Sequence, residues 1–157
     1  MNFDEAKVYA AKLISRKMYT CRELSQKLVK GGCDSETADS VTEAFCLAGI
    51  VDDNQYADMY AHDAMCVLQK GGFRVRAELV AKGIAPSVAE AAVLKYEEGS
   101  EAVLENYVNI RFGDVEFCDI REIEKAKAHL LRRGFSLSEI NRCFKKLGIA
   151  VKRGEEN

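Results

Sequence analysis

The chain has 157 residues, of which 48% are hydrophobic and 31% charged, with a formal net charge of −2. That apolar share permits a real core, and the acidic balance excludes a chain that binds nucleic acid through bulk positive charge alone. No stretch approaches the roughly 18 consecutive apolar residues of a membrane span, and the amphipathic opening MNFDEAKVYAAKL, with its early acids, does not read as a secretory leader.

Ala6, Ala10 and Leu13 set the first helical stripe, with apolar residues returning to one face every three or four positions. Thr20-Cys-Arg-Glu23 fits a capping box, in which a hydroxyl and a carboxylate satisfy free backbone donors. It opens a helix with Leu24 and Leu28 inward. Gly32 suits a left-handed C-terminal cap, and Cys33 can fold back onto that helix. Asp34 occupies the next N-cap position, before Ala38, Val41 and Phe45. Asp52-Asp53 precede the stripe Ala57, Ala61, Ala64 and can cap it. Gly71-Gly72 lacks the Lys-Ser/Thr of a phosphate loop and reads as a break between helices. Val75, Leu79, Gly83 and Ile84 then repeat the earlier helix and its cap. Pro86 fits a first helical turn, where its missing N–H costs nothing, ahead of Ala89, Ala92 and Tyr96. Val108, Phe112 and Val115 form the next stripe, interrupted by Gly113 and the stretch GDVEFCD. Ala126, Leu130, Gly134 and Phe135 repeat the helix and cap once more. Ser136-Leu-Ser-Glu139 is a second capping box, before Ile140, Cys143 and Leu147.

These elements recur with one period. LVKGGC at 28–33, LVAKGI at 79–84 and LLRRGF at 130–135 are spaced by 51 residues without a gap, and so are the flanking stripes. A period of this length signals a modular array, in which each unit buries its remaining apolar face on a neighbour. The fold class is all-α: three tandem three-helix repeats, expected to stack into an elongated, curved array. The repeats are placed at 1–51, 52–101 and 102–150, with a frayed C-terminal tail at 151–157.

Little in this pattern carries catalysis. His62 and Cys66, four apart, are too few for a metal site and read as a surface histidine and a buried cysteine. His129 has no evident carboxylate partner. Six cysteines, at 21, 33, 46, 66, 118 and 143, include no CxxC pair, and most read as small core hydrophobes. No catalytic residue, metal or cofactor is expected, and cysteine usage points to the reducing cytoplasm.

Charge is more informative. Residues 52–102 carry a net charge of −4, residues 103–157 a net +2, and residues 125–146 alone a net +6. A basic end on an acidic chain suggests a polarised contact surface.

Four stretches carry a resemblance: YTCRELSQKLVKGG, GIVDDNQYADMYAHDA, GGFRVRAELVAKGI and LLRRGFSLSEINRCFKKLG. Together, and in this order, they resemble the RecX regulatory proteins, modulators of the RecA recombinase. Many members carry Ser-Arg where this chain has Cys21-Arg22, so Arg22 is kept. The resemblance implies an all-helical, non-enzymatic regulator that lies in the groove of RecA–DNA filaments. There it would restrain recombinase, ATPase and SOS coprotease activity. Single- or double-stranded DNA is a second, weaker partner, and a helical DNA-binding protein acting without RecA is the alternative. The protein is expected to act as a monomer. The candidate contact residues are basic ones at corresponding places in the repeats. They are Arg22, Lys27 and Lys30 in the first, Arg74, Arg76 and Lys82 in the second, and Arg132, Arg133, Lys145 and Lys146 in the third.

Overall fold

The computed structural model describes residues 1–152; the remainder of the predicted tail, 153–157, lies outside the described residues. Among the described residues there are nine α-helices and no strand. They are α1 (Phe3–Ile14), α2 (Cys21–Lys30), α3 (Ser35–Leu47), α4 (Asp53–His62), α5 (Gly72–Ala81), α6 (Pro86–Tyr96), α7 (Ser100–Phe112), α8 (Ile120–Arg132) and α9 (Leu137–Leu147). A π-helical turn, Asp63–Val67, prolongs α4, and a 3-10 turn, Glu97–Gly99, precedes α7.

The starting residues keep the 51-residue period: α2 and α5 begin at 21 and 72, and α3, α6 and α9 at 35, 86 and 137. Local chemistry sets these starts. Thr20 and Ser136 close capping boxes with Glu23 and Glu139, and Asp34 accepts from the Thr37 N–H. The ends of α2, α5 and α8 are alike as well. Gly32, Gly83 and Gly134 have φ of 106°, 98° and 104°. The next residue turns back, so the N–H groups of Cys33, Ile84 and Phe135 donate to the carbonyls of Leu28, Leu79 and Leu130 at 3.0, 3.1 and 3.2 Å. This is a Schellman cap made three times, each with an apolar residue buried after the glycine.

The third repeat departs from the period at its start. α7 begins at Ser100, five residues before the position equivalent to Phe3, and ends at Phe112. Its buried stripe is therefore Leu104 and Val108, and Phe112 is half-buried. Val115, expected on that stripe, is 48% exposed, because Gly113 has already ended the helix.

The chain forms two compact units. One comprises Met1–Tyr60 and Glu78–Ala92; the other comprises Ala61–Ala77 and the chain from Val93 onward. In the first, α1, α2 and α3 pack on one another around Ala6, Ala10, Leu24, Leu28, Val41 and Phe45. In the second, α9 packs on α7 and α8 around Leu104, Val108, Ile123, Leu130, Phe135 and Ile140. Each buried leucine contributes about 2–3 kcal/mol to stability relative to an exposed one. The helices α4, α5 and α6 each contribute residues to both units.

Candidate functional site

Within each unit, the start of one second helix meets the end of the next repeat's second helix. In the first unit, the Thr20 hydroxyl accepts from the Glu23 N–H and donates to the Lys82 carbonyl at 2.6 Å. Arg22 Nη2 donates to the Ala81 carbonyl, also at 2.6 Å. In the second unit, the Gly71 N–H donates to the Arg133 carbonyl at 2.8 Å, and the Phe73 N–H to the Gly134 carbonyl at 3.1 Å. Thr20 and Gly71 are 51 apart, as are Lys82 and Arg133, so this is one joint made twice. Free carbonyls at a helix end need donors, and each joint supplies them from a neighbouring repeat. A side chain on Gly71 has no room, since its Cβ would overlap the backbone of Gly134 and Phe135.

The basic candidates divide into those held by the fold and those facing water. Arg133 Nη2 donates to the carbonyls of Leu68 and, at 3.0 Å, Gln69, and its guanidinium lies 4.8 Å from the Tyr107 ring centroid. The π-helical turn and the positive φ of Gln69, 56°, present those two carbonyls. Arg22 is committed to Ala81. Lys146 pairs with Glu105 at 2.6 Å, and the hydrogen bond to Glu105 raises its pKa. Lys82 sits over the Tyr60 ring at 5.5 Å, and Arg76 over Phe73 at 5.3 Å. Arg74 lies at the second joint, against Gly134. Lys27 and Lys30 are exposed and share a small cavity with Lys17 and Tyr19. Arg132 and Lys145 are exposed too.

Comparison with known proteins decides the family. The family model for the first three-helix domain of RecX matches residues 6–43, and that for the second matches residues 52–93. A regulatory protein RecX from Halorhodospira halophila is 31% identical over 135 residues, covering 83% of this chain and 81% of that protein. The chain belongs to the RecX family. A second relative, the regulatory protein RecX of Clostridium acetobutylicum, is 26% identical over 152 residues, covering 93% of this chain and 70% of that one. The crystal structure of RecX from Lactobacillus salivarius superposes with a TM-score of 0.79 at 22% identity, covering 94% of this chain and 97% of that one, and so shares the fold.

For this RecX family member the cysteines need correction. Only Cys33 and Cys143 are buried thiols, and burial raises the pKa of both. Cys21 and Cys46 form a disulfide between the start of α2 and the end of α3. Cys66, expected to be buried, is exposed in the π-helical turn, four residues after exposed His62 and off the stripe of Ala57, Ala61 and Ala64. Asp52 caps α4 by accepting from the N–H groups of Asn54 and Gln55, while Asp53 accepts from the Cys21 N–H at 2.9 Å.

Sequence reasoning also missed a cluster in the third repeat. Tyr107 and His129 are joined through the phenol oxygen and Nε2 at 2.6 Å. Phe112 meets His129 edge-on at 6.2 Å and tilts against Phe117 at 6.2 Å. Burial, then the charges of Arg111, Arg132 and Arg133, hold the His129 imidazole below its ordinary pKa of 6.5. Phe112 was visible as a stripe residue and His129 only as a histidine without a carboxylate partner. Their convergence depends on the register slip of α7, which no local pattern announces.

Proposed function

We propose that this chain is a non-enzymatic regulator that binds RecA–DNA filaments along their groove and restrains recombinase, ATPase and coprotease activity. The observation that carries the reading is its membership of the RecX family, whose matched relatives are named regulatory proteins. The fold suits a binding role. Exposed basic side chains lie in each compact unit, Lys27 and Lys30 in one and Arg132 and Lys145 in the other.

The contacts are assigned to Lys27 and Lys30 in the first repeat and to Arg132 and Lys145 in the third. These face water, whereas Arg22, Arg133 and Lys146 already hold internal partners. The test is the DNA-dependent ATPase of RecA, measured with increasing amounts of the protein. The parent is expected to suppress turnover. The variant carrying Arg132→Glu and Lys145→Glu, with an unchanged melting temperature, is expected to need about tenfold more protein, the loss of roughly 1.4 kcal/mol of contact. A parent protein that leaves RecA turnover untouched, yet binds bare DNA tightly with a steep salt dependence, would instead mark an independent DNA-binding protein.

A further inference from the structure

Cys21 and Cys46 are the two cysteines that the fold brings together, while Cys33 and Cys143 are free in the core and Cys66 and Cys118 free at the surface. Cys21 is the first residue of α2, and Cys46 lies in the last turn of α3. Their Cα atoms are 6.7 Å apart, inside the span of roughly 4.4–6.8 Å that a disulfide bridges. Leu24, Leu28, Val41 and Phe45 of the same two helices are buried in the core, whereas both cysteines pack against it half-buried. The repeat itself does not need this pair. The positions 51 residues on hold Gly72 and Glu97, and those 102 residues on hold Ile123 and Gly148. Yet α5 starts at Gly72 as α2 starts at Cys21. The same kind of helix start is built without a cross-link, so the bond in the first repeat calls for a role other than holding the repeat.

Half-burial sets the chemistry open to the pair. Thiol–disulfide exchange needs a line of approach to a sulfur, and exposed disulfides are the labile, regulatory class. Arg22 and Leu47, the chain neighbours of the two cysteines, are both exposed, Leu47 by 82%. A small peptide thiol therefore reaches the bond without opening the core. Position sets the consequence. Thr20 and Arg22, on either side of Cys21, donate to the carbonyls of Lys82 and Ala81, and the Cys21 N–H donates to Asp53. The bond fastens to α3 the residue at the centre of the first joint.

We propose that Cys21 and Cys46 form a reversible redox site, exchanged by thiols and disulfides of the glutathione class, which tightens the first joint when oxidised and loosens it when reduced. In the oxidising direction, the thiolate of one cysteine attacks a sulfur of glutathione disulfide. A mixed disulfide forms and one glutathione leaves. The second cysteine's thiolate then attacks the protein sulfur of that mixed disulfide, and the other glutathione leaves. Two protein thiols are oxidised, one glutathione disulfide is reduced to two glutathiones, and the two protons pass from the protein thiols to the leaving thiolates. The site lies wholly in the first compact unit, and the proposal holds or fails without RecA present.

The full chain would be equilibrated in a series of buffers running from reduced glutathione to glutathione disulfide, quenched with an alkylating agent and mapped by peptide mass spectrometry. Cys21 and Cys46 are expected to pass from alkylated to cross-linked within the series, and back when reduced glutathione is restored. Amide hydrogen exchange at the two ends of the series reads the joint, since it reports local opening. The N–H groups of Cys21, Glu23 and Leu24, bonded to Asp53 and Thr20, are expected to exchange several-fold faster after reduction. Those of Glu139 and Ile140, in the matching cap of the third repeat, should not change. Cys21→Ser should fold and show the fast exchange in both buffers. The proposal is overturned if the pair stays cross-linked in reduced glutathione, stays alkylated in glutathione disulfide, or changes state with no change in exchange at the start of α2.

Discussion

Arg132 and Arg133 leave the same helix end in different directions, and the consequences of replacing them differ accordingly. Arg133 closes the second joint by donating to two carbonyls and covering Tyr107. Hydrogen bonds from a charged donor to partly buried acceptors contribute more than neutral ones. Arg133→Ala is expected to cost about 2 kcal/mol in urea denaturation, while Arg132→Ala stays within about 0.5 kcal/mol of the parent. The pair looks uniform in the sequence because nothing local distinguishes a residue whose acceptors lie 65 positions earlier. His129 carries a second expectation at this scale. Its folded pKa lies below the ordinary 6.5, first through burial and then through Arg111, Arg132 and Arg133. As pH falls below about 6.5 the unfolded chain takes up a proton that the folded chain does not, so stability is present above that pH and is lost on acidification. The denaturation midpoint is expected to drop between pH 7.5 and 5.5, and His129→Gln, which keeps an acceptor for Tyr107, should reduce that drop.

At the scale of elements, the helices and their ends were legible because the signals lie within a few residues of one another. A capping box spans four positions and a Schellman cap six, and the Schellman cap recurs at the 51-residue period. The stripe through Val115 failed where Gly113 ended α7, and the π-helical turn after α4 has no matching sequence sign. The joints were illegible for a different reason, since Thr20 and Lys82 are 62 residues apart. They make two glycines that look alike in the sequence unequal. Gly32 has φ of 106° and open space around a Cβ, so Gly32→Ala is expected to cost about 1 kcal/mol from backbone strain alone. Gly71→Ala pushes a Cβ into the backbone of the facing helix end, and about 2–3 kcal/mol is expected in the same denaturation assay. Cys21–Cys46 closes a loop with a sequence separation of 25, which restricts the unfolded chain and stabilises by roughly 3 kcal/mol in the loop-entropy account. Reductant should lower the unfolding free energy of the parent by about that amount and leave that of Cys46→Ala unmoved.

The exposed basic side chains assigned to contact lie in the first and third repeats, while residues 52–102 carry a net charge of −4. Lys27 and Lys30 belong to one compact unit, and Arg132 and Lys145 to the other. Either pair alone makes few exposed charge contacts, each worth well under ~1 kcal/mol when screened by salt. A partner that repeats in space changes this. Once one unit is engaged, the second meets its own site at an effective concentration set by the covalent connection through α4, α5 and α6. A filament of identical protomers offers such repetition, and a free protomer does not. The chain is therefore expected to bind an assembled RecA–DNA filament about 100-fold more tightly than free RecA. Anisotropy of the labelled protein, titrated with RecA with and without DNA and nucleotide, measures the ratio. Lys27→Glu with Lys30→Glu should erase most of it while leaving the weak affinity for free RecA nearly unchanged, because that affinity needs one unit and the filament advantage needs both. Equal affinities for the two forms of RecA would mean that a single unit makes all the contact.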